Sequence, residues 1–370
     1  MIIENHTEAY RDPELNQQLS DEITRISRQP IRLMEVCGTH TVSIFRHGIR
    51  DLLPDTITLV SGPGCPVCVT AQGEIDAFIE IARKENVIVT TFGDLIRVPG
   101  SVSSLEKERA EGRDIRVIYS VMDALSIARE NPIKEVVFLG VGFETTVPTI
   151  AASVLTARKM KIPNFCLFSA HKTVPPALTA LMEAGGTKID GFILPGHVTV
   201  VIGLDAYRLF FEKYRVPCVA GGFEPADILQ AIRMLVDQIE SGPSALENAY
   251  PRAVTMRGNP KAQAIITQVF KPVDTVWRGI GSIPASGLKL REAFEDMDAG
   301  KRMKIKPSET EDPKGCACGE ILTGTKIPPA CRLYKNKCTP MHPVGPCMVS
   351  TEGTCAAYYR YHEDSLLRSR

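Results

Sequence analysis

Six of the eleven cysteines in this 370-residue chain crowd its end, and their spacing is the first sign of chemistry. Cys316, Cys318, Cys331, Cys338, Cys347 and Cys355 follow the pattern C-x-C-x12-C-x6-C-x8-C-x7-C. In a reducing compartment such crowding points to metal or redox chemistry rather than to structural disulfides. An iron–sulfur cluster takes four thiolates, which leaves two thiols over. Beside a cluster, those two could form a disulfide that is reduced one electron at a time. A structural zinc site also takes four thiolates, but it is usually built from paired C-x2-4-C knuckles, which this array lacks. Spacing alone therefore favours iron–sulfur over zinc.

Two further cysteine motifs lie near the other end. Cys65-Pro66-Val67-Cys68 follows Ser61-Gly62-Pro63-Gly64 and precedes the helix-patterned AQGEIDAFIEIARKE. A thiol at a helix N-terminus meets unpaired N–H groups and the positive end of the dipole, which favour thiolate. A C-x-x-C placed there can cycle between dithiol and disulfide or bind a soft metal, and no second C-x-x-C completes a zinc knuckle pair. Cys37-Gly38-Thr39-His40-Thr41 follows the apolar run IRLMEV. Thiolate and imidazole within one turn form an incomplete ligand set for a transition metal. Gly38 admits close backbone approach, and Thr39 and Thr41 can hydrogen-bond to the ligands. A lone cysteine or histidine is commonly a packed core residue; the end of a strand is a less ordinary place for one.

The elements that must position these residues alternate from about residue 31 to 240. Strand-like runs fall at 31–36, 56–61, 86–92, 115–120, 135–142, 164–170, 190–196 and 216–222, with amphipathic helical segments between several of them. Strands of this kind need cover on both faces, which predicts parallel sheets flanked by helices and ligands bound at the carboxyl edge. Three more loops share that edge. Gly140–Thr146 ends a strand and opens a helix, with Thr145 or Thr146 as N-cap and Pro148 in its first turn. It is not a dinucleotide fingerprint, because Thr145 stands where the third glycine is required. Ser169-Ala170-His171-Lys172 and Pro195-Gly196-His197-Val198 each bring a histidine to a strand end. Thr39, Thr41, Glu144, Thr145, His171 and His197 are thus candidate cleft-lining residues. Cys166 and Cys218 lie inside apolar runs and read as inert packed thiols, and Trp277 as a core or interdomain anchor.

The resulting expectation is an α/β chain of two parallel-sheet lobes around a central cleft, with a small C-terminal iron–sulfur domain. Residues 1–120 form the first lobe, 121–240 the second, and 241–370 a connecting arm and the cysteine domain, with 301–315 as the arm itself. Equal numbers of basic and acidic residues, 43 each, exclude the basic excess that nucleic-acid binding requires. The segment MIIENHTEAYRDPELNQQ lacks the apolar stretch of a signal peptide, and FILPGHVTVVIGL is broken by Pro195, Gly196 and His197. No G-x4-G-K-[ST] occurs. A cytoplasmic protein with no membrane association is expected.

CGTHT at 37–41, GPGCPVC at 62–68, GFETT at 142–146, PGHVTVVIG at 195–203 and the six-cysteine array, taken together and in this order, closely resemble the hydrogenase maturation factor HypD family. The resemblance implies a scaffold on which the Fe(CN)2(CO) unit of [NiFe]-hydrogenases is assembled, with the chaperone HypC and the cyanide donor HypE as partners. It implies that Cys37 holds the Fe(II) that receives CN and CO, that His40 lines the same site, and that Cys65 and Cys68 are a redox-active dithiol. It also implies that Cys316, Cys331, Cys338 and Cys355 ligate a [4Fe–4S] cluster, while Cys318 and Cys347 form a neighbouring disulfide. Electrons would then run from the cluster through Cys318/Cys347 and Cys65/Cys68 to the iron at Cys37. A free-standing, cluster-dependent thiol–disulfide oxidoreductase is the alternative, although it has no use for CGTHT. An interaction protein with a structural zinc domain ranks third. A monomer is expected in the free state.

Overall fold

Short apolar runs separated by amphipathic helices bury both faces of each strand, and here they do so in two sheets. The computed structural model describes residues 9–186 and 188–368, with side chains described as far as residue 362; the first eight residues of the N-terminal segment lie outside this range. The strands are β1 (Ile31–Glu35), β2 (Ile57–Ser61), β3 (Val87–Thr91), β4 (Ile115–Val117), β5 (Glu135–Gly140), β6 (Phe165–Ser169), β7 (Gly191–Pro195), β8 (Cys218–Gly221), β9 (Leu246–Asn248), β10 (Phe270–Trp277) and β11 (Gly281–Leu290). One sheet has the order β2-β1-β7-β8-β9 and the other β4-β3-β5-β6, with every pairing parallel. β10 and β11 form an antiparallel hairpin whose register shifts between Val273 and Thr275. Two parallel sheets were expected and are found.

Their division along the chain differs from the expected boundary at residue 120. The first sheet takes β1 and β2, then recovers the chain at β7 after the whole second sheet, β3 to β6, has been inserted between them. Apolar runs reveal strands but not their order, because a parallel strand of either sheet looks the same. The hairpin was not expected at all. β10 carries Pro272 and, between buried Phe270 and Trp277, alternates half-buried and exposed positions, and β11 carries Pro284 and Gly287, so neither reads as an apolar run. The arm and cysteine segment also differ in texture from an independent domain. Residues 305–313 lack regular structure, and short helices follow at Cys318–Leu322 and Pro346–Val349 before the helix Thr354–Arg368. Buried Cys318, Ile321, Cys347 and Met348 belong to the same continuous apolar cluster as Met34, Phe78 and Phe192 of the sheet layers. Among the described residues, no helix is long and apolar enough to cross a membrane.

Some local expectations are met in position, although the Thr146 hydroxyl donates to the Phe143 carbonyl and makes no capping bond. The helix Val147–Lys159 opens with Thr146 at its N-cap position and a proline in its first turn. Cys166 and Cys218 are fully buried in β6 and β8. Trp277 is buried, stacks on Phe143 with ring centroids 5.8 Å apart, and donates its indole N–H to Ser286 Oγ at 2.9 Å.

A buried ion pair ties the loop after β6 to the helix Gln72–Arg83, and its lysine also reaches the hairpin. Lys172, after β6, places Nζ 2.8 and 2.9 Å from the carboxylate oxygens of Glu74 and 3.0 Å from Thr275 Oγ1. The lysine and glutamate side chains are only 1% and 8% exposed. Removing one partner strands a buried charge, whereas removing both does not. Lys172→Met should therefore cost about 3–5 kcal/mol in urea unfolding, and Lys172→Met/Glu74→Leu less than the sum of the two single changes. A single-variant loss below about 1 kcal/mol would show that the pair carries no structural weight.

Candidate metal and dithiol centre

Parallel strands deliver their loops to one edge, and here the edges of both sheets face a common cavity of about 330 Å³. Its lining includes Cys37 after β1, Gly93 and Asp94 after β3, Phe143 after β5 and His197 after β7. Gly64 and Pro66 come from the loop after β2, and Ser350 and Glu352 from the cysteine segment.

Cys37 stands at the N-cap of the helix Gly38–Arg46, and the next N–H, from Gly38, donates to the Gly64 carbonyl at 2.8 Å. CGTHT and GPGC are thereby joined through their backbones. Gly38 is required there: a Cβ would lie 2.5 Å from the Cβ of Glu352. Burial pushes the Cys37 thiol up to about 12, with the negative charges of Glu352 and Glu35 adding to it. Glu35 accepts from the Cys37 N–H at 3.1 Å and from the Thr41 hydroxyl, and burial raises its own carboxyl to about 7. Thr39 lines the cavity and donates to Glu352 Oε1 at 2.6 Å.

His40 is brought near but not into the lining. It is fully buried, with Nε2 2.8 Å from the Gly222 carbonyl oxygen, and it stacks on Phe223, which also stacks on His197. Burial lowers its pKa to about 4, so the ring is neutral. Of the other candidates, Thr145 and His197 line the cavity, while Thr41 is turned to Glu35. His171 is buried against Ser169, its Nδ1 2.8 Å from the hydroxyl oxygen. Glu144 lines a separate pocket beside Thr173 and Pro175; burial raises it to about 7, and its Oε2 has no hydrogen-bond partner among the described residues.

Cys65 and Cys68 are disulfide-bonded and buried at either end of the first turn of the helix Pro66–Val69. That helix packs on Pro346–Val349, which carries Cys347. All six C-terminal cysteines line one small cavity with Ile321, Leu333 and Met348. Cys318 and Cys347 have their sulfurs 2.9 Å apart and are buried, while Cys316 is half-buried. Cys318 is held toward thiolate by hydrogen bonds from Cys316 and Cys347 and by the charge of Arg278, whereas Cys347, beside that sulfur and Cys355, is pushed up. Among the described residues, no three His, Cys, Asp or Glu side chains are grouped as one metal ion would need. A multi-iron cluster asks for more widely spread thiolates, and this set of soft donors in an apolar lining suits one chemically. The enclosed space is about 10 Å³, close to a single water, so seating a cluster requires the thiols to spread.

The family model described as HypD: Hydrogenase formation hypA family matches residues 14–362. The chain belongs to the HypD family of hydrogenase maturation factors. The hydrogenase maturation factor HypD of Azotobacter vinelandii is 45% identical over 365 residues, covering 96% of each chain. Its namesake in Escherichia coli (strain K12) is 44% identical over 362 residues, 96% of this chain and 97% of its own. That of Rhodobacter capsulatus is 44% identical over 364 residues, with 95% and 97% covered.

Four residues of this HypD-family chain were not singled out from sequence. Glu35 could have been, as a carboxylate inside an apolar run two residues before Cys37. Asp94, which accepts from Ser350 Oγ at 3.1 Å, and Glu352 reach the cleft from distant loops and carry no local signal. Arg278 likewise follows a lone tryptophan without a motif.

Glu144 gives a pH-dependent test. Its folded pKa lies above the unfolded value, so its carboxyl costs nothing below about pH 4.5 and destabilises the fold as the pH rises toward 7. Glu144→Gln should leave unfolding in urea unchanged near pH 4.5 and stabilise the protein by about 3 kcal/mol at pH 8. An equal effect at both pH values would show that this carboxyl does not titrate with folding.

Proposed function

We propose that this chain is the scaffold on which an Fe(CN)2(CO) unit is assembled, with Cys37 as the anchoring thiolate and two dithiols supplying reducing equivalents. The observation that carries the reading is the junction of Cys37 with the Cys65–Cys68 loop at the floor of a cleft open to both sheets. A thiolate is a suitable soft anchor for low-spin iron bearing strong-field ligands. Loading iron must expel the Cys37 proton, since the buried thiol is otherwise neutral. Glu35, bonded to the Cys37 N–H and poised near neutrality, is placed to receive it. HypC-type and HypE-type proteins are the partners this reading requires, the first to share the iron and the second to supply cyanide.

A [4Fe–4S] cluster held by Cys316, Cys331, Cys338 and Cys355 would supply electrons singly. Cys318 and Cys347, buried with their sulfurs 2.9 Å apart, are the pair suited to collect two of them. The thiolate of that reduced pair attacks the Cys65–Cys68 disulfide, and its partner thiol resolves the mixed disulfide. One pair is oxidised as the other is reduced, with no net proton or electron left over. Packing of the Cys65/Cys68 helix on the Cys347 helix supports this route.

The first test is infrared spectroscopy of the chain purified anaerobically with its HypC-type partner. Metal-bound CO and cyanide bands are expected, and Cys37→Ala should lack them. Cys65→Ala should leave the cluster spectrum intact while abolishing hydrogenase maturation. An intact cluster without CO or cyanide bands in the native complex would move the oxidoreductase reading to first place. Zinc in place of iron and sulfide would favour a structural role for the cysteine segment.

A further inference from the structure

A second cavity, of about 350 Å³, lies against the helix Pro260–Val269 and shares no lining residue with the central one. Pro175, Pro176, Ile202, Ile266 and Leu288 give it apolar walls, and Glu144 and Thr173 bring side-chain oxygens to them. Mostly apolar walls with a few placed polar groups are the make-up of a small-molecule site.

Glu144 is 4% exposed, and only one of its carboxyl oxygens has a structural task. Oε1 accepts from the Val174 N–H at 2.9 Å, at the start of the helix Val174–Ala184. A glutamine could do the same through its amide oxygen. Oε2 is buried without a hydrogen-bond partner among the described residues, and so is Thr173 Oγ1. An unsatisfied buried oxygen is costly, and native proteins keep few of them. Here two belong to residues that line one cavity, and a ligand is what would satisfy both.

The rest of the wall narrows the kind of ligand. Gln263 uses its amide hydrogens on the Val201 and Arg257 carbonyls, at 2.9 and 2.7 Å. The Thr267 hydroxyl donates to the Gln263 carbonyl at 2.9 Å. The Thr173 and Leu288 N–H groups are committed to the carbonyls of Ser286 and His171, and Pro175 and Pro176 have none. The cavity thus offers acceptors and few donors, so its ligand must donate. Among the described residues, no lysine or arginine lines it. Burial raises the Glu144 carboxyl, and no neighbouring cation offsets that.

We propose that this cavity binds a small organic cation, an alkylguanidinium or alkylammonium, with its charged head on Glu144 and Thr173 and its alkyl tail against the apolar walls. A hydrated inorganic ion suits it poorly, because apolar walls cannot replace the water that the ion would lose. The site stands apart from the iron chemistry proposed above and does not depend on it.

The test is a ligand-detected NMR titration of the full chain with n-butylguanidinium, at pH 8, above the raised pKa of Glu144. The neutral n-butylurea, of the same shape, is the control. Saturable binding of the cation is expected, on the order of millimolar or tighter, with the urea weaker by about tenfold or more. Glu144→Gln keeps the bond to Val174 and should weaken binding of the cation by about tenfold or more, and Thr173→Val by about threefold. Ala206→Phe, at an exposed position of the lining, should fill the cavity and abolish binding. No saturable binding of n-butylguanidinium would overturn the proposal. So would equal binding of n-butylurea, or an unchanged affinity in Glu144→Gln. Unchanged binding in Ala206→Phe would put the cation elsewhere on the protein and overturn it as well. Should circular dichroism show Glu144→Gln unfolded, the n-butylurea and Ala206→Phe results decide alone.

Discussion

The hydrogen bond from the Gly38 N–H to the Gly64 carbonyl joins two adjacent parallel strands where they end, and the candidate chemistry is arranged around it. β1 and β2 are neighbours in register from Ile31 and Ile57 to Glu35 and Ser61, so their loops leave the sheet side by side. Cys37 and Cys65 are thus set next to one another by strand pairing. The glycine at 38 lets the cysteine segment descend on the same spot through Glu352. Without that crossing, the cleft would retain its walls but lose its floor.

Dryness is the second condition. Cys37, Glu35, His40 and the Cys65–Cys68 pair are all buried, and burial drives each titratable group toward its uncharged form. Such a site disfavours a hydrated ion.

Much of the architecture was legible because parallel α/β structure writes itself in apolar runs: eight strands fell where the periodicity put them, within two or three residues. CGTHT and the C-x-x-C were legible because thiols at strand ends have few structural uses. What was hidden has physical reasons. Strand order was lost because a crossover may return to either sheet. β10 and β11 were lost because prolines and half-exposed positions blur their alternation. His40 was expected in the lining but lies behind Phe223, since sequence gives a residue's strand end but not its rotation about the following helix. Asp94 and Glu352 come from segments more than 250 residues apart that meet only in the folded chain.

The return of the chain at β7 also fixes an order of manufacture. The second sheet, β3 to β6, is contiguous and can close as soon as residue 169 has left the ribosome. The first sheet cannot: β1 has β2 on one side and waits for β7 on the other. Throughout that interval the nascent chain presents an unpaired edge and three uncovered thiols, Cys37, Cys65 and Cys68. The segment that covers them, with Ser350 and Glu352, follows later in the chain, so the cleft is sealed only after it has been made.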